Sequence, residues 1–143
     1  MDKYDSLKLE NQLCFPLYAA AKEIVRKYKP FLEEIDLTYT QYITMMVMWE
    51  EEEINVTHLG EKLYLDSGTL TPLLKKLEKK GYITRTRSKD DERTLDVKLT
   101  EEGLKLRDQA LSIPSHISGC IKLSKDEAIV LYKTLNKILD ELK

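Results

Sequence analysis

The stretch from Asp66 to Leu99 constrains the fold more than any other part of this 143-residue chain. It opens with a helix-capping residue, Asp66 or Ser67, and continues with leucines at positions 70, 73, 74 and 77, the spacing of one apolar helix face. Gly81 then marks the end of a helix. Apolar and charged residues alternate on both sides of a charged tip, Ser88 to Arg93, which predicts a β-hairpin.

Helical patterns surround this stretch. Apolar positions recur with helical spacing from Leu9 to Tyr28, and Pro16 indicates that the regular helix either starts near Cys14 or bends there, because proline is tolerated only in a first turn. A strongly apolar helix through Trp49, a short extended piece, a small helix and two C-terminal helices are also expected. The expected N-caps are Thr38 or Thr40, Thr57, Thr100 and Ser124.

This order of helix, short strand, two helices and hairpin is that of a winged helix-turn-helix. The predicted fold is mainly α with a small β-hairpin. We expect a single domain over residues 1–143, with a DNA-binding lobe at about 40–100 and dimerisation helices at about 1–35 and 101–143. The terminal helices are too apolar to stand alone, so a homodimer is expected.

Charge is unevenly distributed along the chain. The formal net charge is −2, yet Ser67 to Leu99 holds nine basic and five acidic residues. In a winged helix such charge neutralises phosphates, while small hydroxyl side chains at a helix start suit base edges or phosphates, so double-stranded DNA is the expected partner. The expected contacts are Ser67, Thr69, Thr71, Lys75, Lys76, Arg85, Arg87, Lys89 and Arg93.

Composition excludes several other classes of protein. A hydrophobic fraction of 42% and a charged fraction of 34% describe a folded soluble chain, and no signal peptide or membrane-length apolar run is visible. We therefore expect a cytoplasmic location and no membrane association. His58 and His116 are isolated and there is no CxxC pair, so no metal or cofactor is expected.

Two cysteines, Cys14 and Cys120, are far apart in sequence, and a permanent disulfide would be unusual in a reducing compartment. Each is either an inert, small apolar residue or a redox group. If the first helix starts near Cys14, its dipole favours the thiolate, which is the nucleophile toward peroxides. The apolar neighbours Leu13, Phe15 and Leu17 would suit an organic hydroperoxide better than hydrogen peroxide.

Several segments together resemble the MarR family, and more narrowly its OhrR-type organic-peroxide sensors. They are "LENQLCFPLY", "YKPFLEEIDLTYTQY" and "GEKLYLDSGTLTPLLKKLEKKGYITRTRSKDDERTLDVKLTEEG". The resemblance covers nearly the whole chain, is dense from Leu9 to Gly103, and depends most on "LDSGTLTPLLK", on the "DDER" hairpin tip and on "QLCF".

The resemblance implies a homodimeric repressor that leaves a pseudo-palindromic DNA operator when Cys14 is oxidised. Tyr28 and Tyr39 match two tyrosines that hydrogen-bond the thiolate of the partner subunit, and Tyr18 matches a further tyrosine near that site. Arg93 matches the hairpin arginine that enters the minor groove. The positions that fall on the start and body of the recognition helix are Asp66, Ser67, Thr69, Thr71 and Lys76.

The fate of the oxidised thiol has two alternatives in the family, a mixed disulfide with a small cellular thiol or an intersubunit disulfide with a second cysteine. Cys120 lies in the region of that second cysteine.

Two other functions compete with the redox-switched repressor. One is a repressor released by a reversible small aromatic ligand, and the other is a thiol peroxidase with Cys14 turning over. The dense basic hairpin would have no purpose in a peroxidase, so we do not expect an enzyme.

Overall fold

The structure is a computed structural model that describes residues 2–143, in two compact units. One unit ends at Ile113 and the other comprises Pro114–Lys143. The first contains α1 (Cys14–Glu33), α2 (Tyr39–Glu51), β1 (Glu53–Asn55), α3 (Val56–Leu63), α4 (Ser67–Lys79), β2 (Ile83–Arg87), β3 (Leu95–Leu99) and α5 (Glu101–Ala110). Two further helices follow, α6 (Ile113–Cys120) and α7 (Lys125–Glu141). The predicted mainly helical winged-helix order is confirmed, while the division into a DNA-binding lobe and dimerisation helices stays a prediction.

Helix α1 begins at Cys14, so the first of the two alternatives for Pro16 is correct. Pro16 lies in the first turn, where its missing N–H has no intrahelical acceptor. The helix also continues past Tyr28 and includes Pro30 in its last turn. Residues Leu9–Asn11, where the helical spacing of apolar residues begins, form a separate 3₁₀ turn before it.

The predicted N-caps are confirmed at four helices and wrong at one. Thr38 and Ser124 each form a complete capping box, Asp66 accepts from the N–H of Thr69, and Thr100 accepts from the N–H of Gly103. The cap of α3 is Asn55 and not Thr57. Asn55 is the extended last residue of β1, and its side chain accepts from the N–H of Thr57, which already lies inside the helix.

The hairpin gains a third strand. β3 lies at the centre of an antiparallel sheet in the order β1-β3-β2. In the hairpin Ile83 pairs with Leu99 and Arg87 with Leu95, and on the other side Ile54 of β1 pairs with Val97. The short extended piece after α2 therefore fixes the base of the hairpin to the helices.

The core of the first unit lies between α2, α3, α4 and the sheet. The predicted leucine face of α4 is buried at all four of its positions. Met45 and Met48 of α2, Leu59 of α3 and Val97 of β3 are fully buried. Because burial of each large side chain contributes roughly 1.5–3 kcal/mol, this cluster sets the position of α4 relative to the sheet.

Helix α7 keeps its apolar side chains at the surface of the single chain. None of its residues, all of which the structure describes, is buried. The predicted apolar face of α7 is largely open to solvent. Its exposed residues include Val130, Leu131 and Tyr132, and Leu142, which follows the last residue of the helix, is exposed as well. In residues 2–143 no helix combines the length and the apolar character that a membrane span requires.

Candidate functional site

Cys14 is the first residue of α1, and its side chain is exposed. The two residues on either side, Leu13 and Phe15, are also exposed, Leu13 to 85%, and Leu17 follows on the next turn. A helix N-terminus carries unpaired N–H groups and a positive dipole end, both of which favour an anion. The thiol therefore sits at an accessible, anion-favouring position beside apolar side chains, and the alternative of a buried apolar cysteine does not hold in the single chain.

Three tyrosines form a cluster where α1 meets α2. The ring of Tyr28 contacts the ring of Tyr39 edge to face, with centroids 4.9 Å apart, and Tyr42 lies 5.8 Å from Tyr28. Burial raises the pKa of all three phenols, and the neighbouring Tyr39 raises the pKa of Tyr28 further. These phenols therefore stay protonated and can donate hydrogen bonds to an anion. Tyr42 was not expected at the site, although its position one turn after Tyr39 is the signal that could have found it.

Helix α1 keeps the thiol and the phenols of one chain apart. Tyr28 follows Cys14 by fourteen positions, which corresponds to about 21 Å along a helix. Tyr28 therefore lies too far along α1 to contact the thiol of its own chain. Tyr18, one turn from Cys14, is 64% exposed. Cys120 is the exposed last residue of α6.

Helix α4 presents the predicted polar residues at its surface. Asp66 caps it with a 2.8 Å hydrogen bond from the Thr69 backbone, and the four leucines anchor its other face in the core. The predicted contact residues of this helix are all exposed and comprise Ser67, Thr69, Thr71, Lys75 and Lys76. The helix-turn-helix turn that precedes it contains Tyr64 in the left-handed region, at φ 55°.

The hairpin tip carries an organised arginine. The side chain of Arg93 is 89% exposed, and its Nε and backbone N–H both donate to Oδ1 of Asp91, at 3.1 Å and 3.0 Å. These bonds hold the pKa of Asp91 below its ordinary value. Arg87 donates to the carbonyl oxygen of Glu92 across the tip, and Lys89 is exposed. Arg93 is thus a highly exposed cation that Asp91 orients at the hairpin tip.

Arg85 is placed differently from the other predicted contacts. Only 17% of its side chain is exposed, and its guanidinium donates to Oε1 of Glu78 at 3.1 Å, while Oε2 of Glu78 accepts from the Arg85 backbone at 3.0 Å. Its Nε is buried without a hydrogen-bond partner among the described residues. The pair ties the last turns of α4 to β2. A contact of Arg85 with DNA stays a prediction.

A cleft of about 840 Å³ lies between the second half of α1, the α1–α2 turn and the end of α4. Its apolar lining includes Val25, Leu32, Leu37 and Tyr39. Its charged lining consists of Arg26, Lys29, Glu33, Asp36, Lys76, Lys79 and Lys80. Basic side chains outnumber acidic ones, so the cleft favours an anionic, partly apolar occupant. Within residues 2–143 no group of His, Cys, Asp and Glu side chains could hold a metal ion.

Comparison with known proteins places this chain in a family. The family described as "Transcriptional regulator SarA/Rot" matches residues 26–110. The organic hydroperoxide resistance transcriptional regulator of Bacillus subtilis is 47% identical over 141 residues, which cover 99% of this chain and 96% of that protein. The chain belongs to the MarR family of transcriptional regulators.

Solved structures agree with this assignment to the MarR family. Reduced AbfR bound to DNA is 34% identical to this chain, with a TM-score of 0.77 and a match that covers 99% of each chain. Disulfide-formed AbfR is 32% identical, with a TM-score of 0.67 and a match that covers 98% of this chain and 96% of that one. The reduced form of MarR from Escherichia coli has a TM-score of 0.70 at 25% identity, covering 90% of this chain and 96% of its own. The resemblance to OhrR-type MarR regulators that the sequence motifs indicate is confirmed.

Proposed function

We propose that this MarR-family regulator is a homodimeric repressor that binds a pseudo-palindromic DNA operator and releases it when an organic hydroperoxide oxidises Cys14. The observation that carries the proposal is the exposed thiol of Cys14 at the first residue of α1. A cluster of protonated phenols lies toward the other end of the same helix. The relatives support it, since one regulates organic hydroperoxide resistance and another has reduced and disulfide structures.

DNA binding would use α4 and the hairpin together. The polar face of α4 fits a major groove, and Arg93 at the projecting tip reaches the neighbouring minor groove. Lysines and arginines on this surface neutralise phosphates, so affinity falls as salt concentration rises. In a dimer two such helices must match two half-sites at a fixed spacing, which makes binding sensitive to the relative position of the subunits.

Dimerisation follows from the same features. Apolar side chains of α7 and of the N-terminal region are exposed in the single chain and are covered when two chains associate. The length of α1 keeps Cys14 away from Tyr28 of its own chain, which supports a sensing site that combines Cys14 of one subunit with Tyr28 and Tyr39 of the partner subunit. Phenol O–H groups and the helix N-terminus would then stabilise the thiolate together.

The chemistry is a two-electron oxidation. The thiolate of Cys14 attacks the outer peroxide oxygen, an S–O bond forms, the O–O bond breaks, and the alkoxide leaves and takes a proton to give an alcohol. A second thiol then attacks the sulfenic acid, which forms a disulfide and releases water. That thiol is either a small cellular thiol or Cys120 of the partner subunit. Loss of the thiolate frees the phenols, and the helices that carry them shift the two α4 helices out of register.

The test is operator binding before and after oxidation. A duplex selected from randomised DNA by the reduced protein serves as probe, and the protein is then treated with cumene hydroperoxide. We expect the affinity to fall at least tenfold for the wild type and for Cys120→Ser, and to stay unchanged for Cys14→Ser. Intact mass separates sulfenic acid, mixed disulfide and crosslink, and Cys120→Ser that still gives a covalent dimer rules out Cys120 as the second thiol. Release of DNA by Cys14→Ser would overturn the mechanism.

A reversible ligand is the second candidate signal, and the basic, partly apolar cleft beside Tyr39 supports it. A small aromatic acid that releases DNA from Cys14→Ser protein without any mass change would establish this function. A thiol peroxidase would instead turn over many equivalents of peroxide per subunit with dithiothreitol and show no DNA affinity.

A further inference from the structure

Lys80 joins the end of α4 to the turn between α1 and α2. Its Nζ donates to the carbonyl oxygen of Asp36 and lies 3.3 Å from the Oδ2 atom of the same residue. The contact spans 44 positions in sequence. The side chain of Lys80 is 28% exposed, less than that of the other lysines that form ion pairs in residues 2–143. Both acceptors come from one residue, so the ammonium group has a defined position.

Asp36 lies in the turn that leads directly to the tyrosine cluster. Its φ of 53° is in the left-handed region, which non-glycine residues rarely adopt. The next residue, Leu37, is buried and its N–H bonds to the carbonyl of Leu32. Thr38 then caps α2 in a complete capping box, and Tyr39 is the first helical residue. Only two residues, Leu37 and Thr38, thus separate the acceptor of Lys80 from a phenol of the candidate sensing site.

We propose that Lys80 is a positioning residue that holds the end of the recognition helix α4 against the α1–α2 turn and thereby couples the state of the thiol site to DNA binding. The inference rests on the proposed function, because it assigns a route between its two sites. In this proposal a displacement of Tyr39 moves Asp36 through the short connection between them, and Asp36 moves the end of α4 through Lys80. Coupling of this kind requires an element whose position both sites affect, and the turn meets that requirement.

The contact between Lys80 and Asp36 is better suited to orient α4 than to stabilise the fold. Ion pairs at the protein surface contribute little to folding stability, because water screens them and long side chains lose freedom when they form. Asp36 is exposed, so loss of the pair leaves no buried charge. Removal of Lys80 should therefore change how α4 responds to the sensing site without unfolding the protein.

The experiment compares Lys80→Met with Lys79→Met. Each variant removes one positive charge from the end of α4, and both lysines line the same cleft. Within residues 2–143 no ion pair or hydrogen bond of Lys79 corresponds to the contact of Lys80 with Asp36. Operator affinity is measured for each variant in reduced and in peroxide-treated form, and the ratio of the two affinities is the readout. A merely structural or phosphate-neutralising role changes both affinities by one factor and leaves this ratio constant.

We expect the ratio of Lys79→Met to equal that of the wild type and the ratio of Lys80→Met to be at least fivefold smaller. Lys80→Arg, which retains a cationic donor, should recover most of the wild-type ratio. Asp36→Gly provides a second variant that should fold well, since glycine accepts a positive φ. It should lower the ratio by less than Lys80→Met does, because it removes the carboxylate but keeps the backbone carbonyl that accepts from Lys80. Equal ratios for Lys79→Met and Lys80→Met overturn the inference while the proposed function stands. A wild type that keeps its DNA after oxidation overturns both.

Discussion

The indole Nε1 of Trp49 donates a 2.8 Å hydrogen bond to the carbonyl oxygen of Gly103. The contact crosses 54 positions of sequence and fixes the first turn of α5 against α2. Gly103 has no room for a side chain there, because a Cβ atom would lie 2.2 Å from the carbonyl oxygen of Tyr82 and 2.7 Å from the Leu99 side chain. The incomplete capping box after Thr100, where glutamate or glutamine is the common residue, thus has a steric cause.

Replacement of Gly103 by alanine should destabilise the fold. The clash with a backbone oxygen forces α5 to move, at a cost of about 1–3 kcal/mol, which exceeds the gain of at most about 1 kcal/mol from better helix propensity. Urea denaturation measures the difference. Gly119→Ala is the matched control, since nothing beyond the adjacent residues and the backbone of its own helix lies within 4 Å of its Cβ position, and its stability should be unchanged or higher. A Gly103→Ala protein as stable as the wild type contradicts the steric account.

Replacement of Glu78 by alanine should cost about 1–3 kcal/mol of unfolding free energy, because it leaves the largely buried guanidinium of Arg85 and its backbone N–H without acceptors. Glu33→Ala removes an acid from a weaker, 4.0 Å pair with Lys29 in which both side chains are largely exposed, and should change stability by less than about 0.5 kcal/mol. Equal losses in the two variants would show that Glu78 has no special role.

Alkaline titration should distinguish the three clustered tyrosines from the rest of the eight. Burial raises the pKa values of Tyr28, Tyr39 and Tyr42, so the fold favours their neutral phenols. Their contribution to stability is complete below the ordinary phenol pKa of about 10 and is lost as pH rises through the folded values. Phenolate ultraviolet absorbance should show a late-titrating fraction that disappears in urea and decreases in Tyr28→Phe. A single transition, the same in native and unfolded protein, would contradict the prediction.

Replacement of Glu52 by glycine should stabilise the chain by about 0.5–2 kcal/mol. Glu52 follows α2 with φ 65° and ψ −37°, a conformation that is strained for any residue with a Cβ atom. Its exposed side chain is lost without cost, while its N–H and carbonyl keep their bonds to Met48 and Leu99. Glu53→Gly removes the same charge from an extended strand and should destabilise the chain. Thermal denaturation of both variants decides whether strain or charge is the cause.

Local sequence patterns predicted most of the secondary structure, because capping and apolar spacing act within a few residues. Asp66, Thr100 and Ser124 are caps, and Leu70, Leu73, Leu74 and Leu77 are buried, as their positions indicate. Thr57 failed as a cap because two nearby residues, Asn55 and Thr57, have suitable side chains, and the strand pairing of β1 decides between them. That pairing brings Asn55 beside Asp96, 41 positions away, and no local rule specifies it.

The residues of the candidate site that belong to family motifs could be predicted from the sequence. The ion pairs between residues far apart in the sequence could not. Cys14, Tyr28, Tyr39 and Arg93 follow from the family resemblance, and the structure brings Tyr28 and Tyr39 together. The contacts of Arg85 with Glu78 and of Lys80 with Asp36 do not follow, since many acidic residues were available to each cation. Which carboxylate a cation meets is set by how helices and strands pack, and only the folded chain determines it.

The length of α1 has a genetic consequence. If every sensing centre draws its sulfur from one polypeptide and its phenols from the other, two different defective alleles can compensate for each other. Co-expressed chains lacking only Cys14 and chains lacking only Tyr28 and Tyr39 would assemble into mixed pairs in which one centre is wild type and the other is doubly defective. Such cells would regain part of their response to hydroperoxide, although neither allele alone would support one. The phenotype would therefore depend on the combination of the two alleles.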